Sequence, residues 1–146
     1  MKSLVRGRLH IAAMCVGMAQ RLLAESVAHA RSSKQGGHPI GEFQLVQAML
    51  ADMQAGLYAG HAMVLEAARN YDSGADRRIG PSAAKLFCSE MVGRAADLAV
   101  QIHGGLGYMR GVAVERMYRD ARLFRIYEGT SEIQRLIIGR ALLKDD

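Results

Sequence analysis

The sequence predicts an all-α fold, an antiparallel four-helix bundle with an additional short helix. Half of the residues are hydrophobic, yet aromatics make up only 5% and Trp is absent. Ala, Leu and nine Met dominate the apolar set; these are good helix formers, whereas the Val, Ile and aromatic signals of strands are thin. Apolar residues recur at three- and four-residue steps through long segments joined by short turns, the pattern of helices packed side by side. At 146 residues the chain fits one domain around one core.

The first helix is expected over residues 3–33, with Ile11, Met14, Cys15, Met18, Leu22 and Ser26 on its inner face. Gly36-Gly37-His38-Pro39 ends it, because glycine breaks helices and Pro39 pushes His38 out of the helical region. The second helix, over 41–72, turns Phe43, Val46, Leu50, Met53, Leu57 and Gly60 inward. Residues 72–76 form a turn, and Gly80-Pro81-Ser82 opens the third helix with Pro in its first turn. That helix runs to His103, with Leu86, Val92, Ala96 and Ala99 inward, and Gly104-Gly105-Leu106-Gly107 terminates it. A short helix covers 114–123. The last helix starts after Gly129 with Ser131 as cap and Gln134 reaching back as in a capping box, and it ends near Leu143.

Charge and cysteines narrow the function classes. The formal charge is +5, but the basic residues are scattered among acids. The basic segment 119–125, with Tyr118 and Phe124 as interleaved aromatics, reads as a solvated helix with ion pairs such as Glu115 to Arg119 rather than a nucleic-acid stripe. Cys15 and Cys88 lack a CxxC spacing and read as buried free thiols, which fits a reducing compartment. The five histidines show no ligand spacing, so no metal site is expected. Lys2, Arg6 and Arg8 before an apolar run imitate a signal peptide, but the helical spacing continues through Leu22, Leu23 and Val27 and indicates an amphipathic helix. No stretch reads as apolar enough to span a bilayer.

Two stretches carry possible chemistry. The glycines at 104, 105 and 107 fit neither GxGxxG after a strand nor a Walker loop, so they read as a helix cap whose amides could also approach a phosphate. Glu128 stands before a glycine and just outside a helix N-terminus. It reads either as an acid that complements the helix dipole or as a base aimed into a cleft, where desolvation would raise its pKa.

Several short motifs in register then point to a family. Gln101-Ile102-His103-Gly104-Gly105-Leu106-Gly107-Tyr108, Val114-Glu115-Arg116, Tyr118-Arg119-Asp120-Ala121-Arg122 and Ile126-Tyr127-Glu128-Gly129-Thr130-Ser131-Glu132-Ile133-Gln134-Arg135 resemble the acyl-CoA dehydrogenase signature. Gly7-Arg8, Val16 through Gln20, Pro39-Ile40, Phe43-Gln44 and Leu50 through Met53 fit the same pattern, so the resemblance covers essentially the whole chain. It implies the C-terminal helical domain of an FAD-dependent enzyme that desaturates an acyl-CoA thioester between its α and β carbons. Glu128 then corresponds to the base that removes the α-proton, as in medium- and short-chain types, while the β-hydrogen leaves as hydride to the flavin. Some relatives carry the base on the first helix, and the matching position here is Gly7. Arg8, Tyr127 and Gly129 correspond to substrate-lining positions. Thr130 and Glu132 correspond to flavin contacts, and Gln101, Gly104, Gly105 and Gln44 to contacts with the FAD of a neighbouring subunit.

The resemblance also implies limits. The family usually has an arginine where Ser33 stands and an aromatic at Gly36. Losing a charge-assisted contact to the FAD pyrophosphate costs roughly 1.5–3 kcal/mol. The N-terminal helical and middle β domains of the family have no counterpart within residues 1–146, so activity is expected only in their presence. The expected partners are acyl-CoA, a dimer or tetramer of the chain or the missing domains, and electron-transfer flavoprotein as acceptor. The expected location is the bacterial cytoplasm or, in a eukaryote, the mitochondrial matrix. The alternative is a non-catalytic helical oligomerisation module descended from the family.

Overall fold

The computed structural model describes residues 2–144, with side chains from Leu4 onward. Met1, the Lys2 side chain of the signal-like stretch, and the last two residues of the expected 1–146 domain lie outside the described residues. The order of elements is α1 (Lys2–Ser32), β1 (Lys34–Gln35), β2 (His38–Pro39), a 3-10 turn (Ile40–Glu42), α2 (Gln44–Ser73), α3 (Ile79–His103), α4 (Gly105–Tyr108), α5 (Ala113–Leu123) and α6 (Ser131–Leu142). The all-α expectation holds.

Contacts between elements give the directions. Arg8 of α1 reaches Ser82 at the start of α3, and His29 stacks on His103 at its end, so α1 and α3 run parallel. Between α2 and α3 the order is reversed. A Cβ on Gly56 would meet Met91, one on Gly60 would meet Cys88, and Ala67 lies against Gly80. The bare backbone at Gly56 and Gly60 lets the two helices approach closely, with Met91 seated between them. Through Arg125, the end of α5 returns to Glu90 on α3, so α5 descends along α3. The helices α1, α2, α3 and α5 thus form an up-down-up-down core, α6 packs on α3, and α4 is a single turn.

The core is centred on α3, whose buried residues include Ala84, Cys88, Met91, Val92, Ala95, Ala96, Ala99 and Ile102. On α1 the buried side is Ile11, Ala12, Cys15, Val16, Ala19, Leu22, Ser26 and Ala30. At about 100° per residue this face is centred on Cys15, Ala19 and Ser26, and Met14 falls off its edge, half exposed rather than inward. Phe43 is likewise exposed, because α2 begins at Gln44 after a 3-10 turn and not at Gly41. Leu86 is only half-buried; its neighbour Lys85 takes the inward position. By length and composition Leu4–Ser32 could cross a membrane, against expectation, yet its apolar side packs on α3 and α2.

A two-residue hairpin between α1 and α2 was not legible in the pattern. Gly36 and Gly37 both have positive φ, 58° and 87°, as a type I′ turn requires at both central positions. An aromatic at position 36 would be strained there. Both cysteines are buried, as expected, and burial pushes the thiol of Cys88 up to about 12 and that of Cys15 higher still.

The start of α3 is held by Asp76. Its carboxylate accepts from the backbone N–H groups of Arg78 (2.7 Å), Ile79 (2.9 Å) and Gly80 (2.6 Å). Partial burial acts to raise the Asp76 pKa, but these three donors outweigh it and hold the group below its usual range. Replacing a capping acid by Ala costs about 0.5–2 kcal/mol, so Asp76→Ala should lower stability in urea by that amount near neutral pH. Because the folded-state pKa is depressed, the contribution is complete above the unfolded value of about 4 and is lost as pH falls through the folded value. Wild type and variant should therefore converge in acid, which unfolding curves measured from pH 7 down to pH 2 will check.

Candidate active site

The segment between α5 and α6 carries a backbone irregularity at the residue the signature singles out. Glu128 has φ 54°, and no other non-glycine residue with positive φ occurs among the described residues. A left-handed conformation at an L-residue with a long side chain costs about 1–2 kcal/mol. Such strain persists only where neighbouring groups over-determine it. Gly129 follows with φ 90°, which suits glycine.

The over-determination comes from α3 and α6. Lys85 Nζ donates to the carbonyl of Gly129 at 2.8 Å. Gln134 Nε2 donates to the carbonyls of Glu128 (3.1 Å) and Gly129 (3.0 Å). Both side chains are fully buried. On the flanks, Glu90 accepts from Ser131 Oγ at 2.6 Å and pairs with Arg125 at 3.4 Å. The capping box expected at Ser131 is therefore corrected. Thr130 is the N-cap of α6, its hydroxyl accepting from the Ile133 N–H at 3.4 Å. Ser131 turns inward to Glu90, and Gln134 reaches back to carbonyls of the preceding loop.

The Glu128 carboxylate points at α1. A Cβ built on Gly7 would lie 2.8 Å from Glu128 Cδ and closer still to Oε2, so only a bare Cα fits opposite this carboxylate. Gly7 and Glu128, the two positions that the resemblance offers for a base, are thus adjacent in space. Arg8, next along α1, donates to Ser82 Oγ at 3.3 Å. Burial pushes the Arg8 guanidinium pKa down, and the Glu128 charge works against that. Tyr127 is half-buried and stacks on Phe124 with ring centroids 5.8 Å apart. Burial raises its phenol, with the neighbouring Cys15 and Glu128 adding to the shift.

Orphaned polar atoms concentrate here. Arg8 Nε, Glu128 Oε2, Gln134 Oε1 and Arg125 Nε are buried without a hydrogen-bond partner among the described residues. Buried polar groups are ordinarily satisfied, and two of these four belong to Glu128 and to Arg8, which lies within reach of the Glu128 charge. Thr130 and Glu132 sit at the same end. The exposed Glu132 carboxyl is held below its usual range by its own backbone N–H and by the Thr130 hydroxyl.

The remaining expected cofactor positions lie elsewhere. Gln101, Gly104 and Gly105 are exposed at the far end of α3, and Gln44 opens α2 at that same end. From Lys85 to Gln101 is about 24 Å at 1.5 Å per residue. One chain therefore does not bring the two groups into one site. The far end nevertheless fits close approach by an outside group. Gly104 caps α3 with φ 59°, and a Cβ on Gly104 or Gly105 would meet nothing within 4 Å. Space inside the chain does not require glycine at position 105. Ser33, by contrast, is engaged, its hydroxyl 3.1 Å from the His29 ring nitrogens.

Sequence reasoning missed Lys85, Gln134 as a carbonyl donor, and Glu90. A signal existed for Lys85. It sits in step with Ser82, Ser89, Val92, Ala96 and Ala99, a cation on the buried face of α3.

Comparison with known proteins identifies the family. The profile of the family described as acyl-CoA dehydrogenase, C-terminal domain, matches residues 1–143. A probable acyl-CoA dehydrogenase of Bacillus subtilis, YngJ, is 52% identical over 94% of this chain and 36% of its own length. Subunit CarC of the caffeyl-CoA reductase-Etf complex of Acetobacterium woodii is 44% identical over 99% of this chain and 38% of its length. Among solved structures, butyryl-CoA dehydrogenase from Megasphaera elsdenii superposes with a TM-score of 0.94 at 37% identity, covering 97% of this chain and 37% of that one. The chain thus spans little more than a third of the relatives it matches. It belongs to the acyl-CoA dehydrogenase family and corresponds to its C-terminal helical domain.

Proposed function

We propose that this chain supplies the proton-abstracting part of an acyl-CoA dehydrogenase, with Glu128 as the base that removes the α-proton of an acyl-CoA thioester. The observation that carries the reading is the free carboxylate of a strained residue. Glu128 is pinned through its own and the next carbonyl, its Oε2 is buried without a partner, and Gly7 opposite offers only backbone. A base must be held in place yet keep a lone pair for the substrate proton.

An α-proton beside a thioester is weakly acidic, so negative charge develops on the carbonyl oxygen as it leaves. Backbone amides aimed at that oxygen stabilise the charge, and the N–H of Glu128 is the candidate donor. Arg8, Tyr127 and Gly129 line the acyl-CoA. A bound FAD would supply the hydride-accepting chemistry for the β-hydrogen. Thr130 and Glu132 would contact the flavin of the same subunit. Gln44, Gln101, Gly104 and Gly105, about 24 Å away along α3, would contact that of a neighbour, so the working unit is a homo-oligomer. Electron-transfer flavoprotein is the acceptor this reading assigns. The relative CarC, a subunit of a reductase-Etf complex, is in keeping with that.

The test joins this chain to the N-terminal helical and middle β domains of the family and measures acyl-CoA-dependent dye reduction. Activity should appear only in the joined protein. Glu128→Gln should lower kcat by about 10²–10⁴-fold, the usual loss for a general base, while flavin absorbance is retained. Full activity in that variant would remove Glu128 from the mechanism, and no flavin in either preparation would favour the non-catalytic module.

Gly7→Ala offers a steric test. The added methyl would drive the Glu128 carboxylate off its position, and kcat should fall at least tenfold with helix content unchanged. Gly17→Ala, on the same helix with nothing within 4 Å of its Cβ, should leave kcat alone. It should also raise stability by about 0.5–1 kcal/mol, the helical preference of Ala over Gly. Equal activity in both variants would mean that the contact between Gly7 and Glu128 has no catalytic consequence.

A further inference from the structure

We infer that Lys85 is the positioning residue for the catalytic carboxylate: its buried ammonium, together with the Gln134 carboxamide, grips the carbonyls of Glu128 and Gly129 and fixes the strained peptide from which the base projects. This rests on the reading of Glu128 as the base.

Three features support the assignment. First, Lys85 is fully buried on the face of α3 otherwise made of small and apolar residues. Taking an ammonium out of water costs several kcal/mol unless it is paired and hydrogen-bonded. Packing alone would favour Met or Leu there. The hydrogen bond described for this ammonium goes to Gly129 O at 2.8 Å, across 44 residues of sequence.

Second, the anchors are distributed around Glu128. Helix α3 holds Arg125 and Ser131 through Glu90 and Gly129 through Lys85, while α6 holds residues 128 and 129 through Gln134. A positive φ at Glu128 is maintained because both following carbonyls are claimed. Relaxation to an ordinary conformation would rotate those carbonyls away from Lys85 and Gln134.

Third, the grip is on the backbone and leaves the side chain alone. Hydrogen bonds to a carboxylate make it a weaker base. Fixing the residue through its carbonyls holds it in place while Glu128 Oε2 stays unbonded within the chain. A Cβ on Gly129 would overlap Gln134 Nε2, at 2.6 Å, so Gly129 is the residue that lets the carboxamide reach both carbonyls.

The experiment uses the active joined protein. Lys85→Met keeps the stem and removes the donor. The readouts are kcat, KM for acyl-CoA, and the rate at which the substrate α-proton exchanges with solvent deuterium, which reports proton abstraction apart from hydride transfer. A base displaced by about 1 Å can lose 10²-fold. Lys85→Met should therefore lower kcat and α-proton exchange together by tenfold to a hundredfold, with KM changed less than threefold and flavin retained. Unchanged kcat, or a loss confined to KM, would overturn the inference. Gln134→Met, which removes the second donor from α6, should show the same split and decides the matter if Lys85→Met does not fold. If neither variant folds, the pair is a structural clamp and the positioning role falls. Glu128→Gln is measured alongside. If it retains α-proton exchange, the base reading itself has failed. If it is inactive while Lys85→Met is fully active, only the positioning role has failed.

Discussion

The packing of neighbouring helices around α3, which leaves only a stripe with Arg94, Asp97 and Gln101 exposed, is the constraint from which both the fold and the site follow. Helices α1, α2, α5 and α6 all pack on it, which demands small residues such as Ala84, Ala95, Ala96 and Ala99 and a glycine-lined approach from α2. A helix so enclosed cannot keep polar side chains without giving each a partner. Ser89 returns to the carbonyl of Leu86 on its own helix. Ser82 accepts from Arg8, Lys85 finds Gly129, and Glu90 finds Arg125 and Ser131. The last three sets of partners lie on α1, on the loop before α6 and at the first residue of α6. The polar residues of the most buried helix therefore dictate where the loop carrying Glu128 must lie.

The energetics of that loop follow the same logic. A left-handed Glu128 and a buried ammonium are each unfavourable alone. Joined through two carbonyls they are mutually supporting, because the strained conformation presents the acceptors the cation requires. An ordinary conformation at Glu128 would leave Lys85 unpaired in the core, an outcome costlier than the backbone strain. The result is a carboxylate fixed by its backbone beside the bare Cα of Gly7. A side chain at position 7 would collide with that carboxylate, so the geometry at Glu128 depends on the bare backbone of Gly7.

The distance between the two ends of α3 has a different consequence. The loop before α6 and the glycines after α3 are separated by the length of the bundle, and no packing within one chain brings them together. At the far end a Cβ on Gly104 or Gly105 would meet nothing within the chain. The same end carries the Gly36-Gly37 turn and Ser33. Both turn residues have left-handed φ values, a conformation in which an aromatic side chain at position 36 would be strained.

The sequence by itself determined the helical class, the approximate limits of the helices, the family, and the identity of Glu128 as the residue of interest. These are local properties, readable because helix periodicity, glycine stops and motif spacing act over a few residues. It misread what depends on neighbours distant in sequence. Met14 and Phe43 were expected inward, but which edge of an apolar stripe is buried depends on the helices that pack against it. Ser131 was expected to cap α6, but Glu90, 41 residues away, takes its hydroxyl and leaves the cap to Thr130. Lys85 was passed over because a lone lysine in a helix reads as solvated. Only the tertiary structure, by enclosing α3, turns that lysine inward and gives its charge one carbonyl to hold.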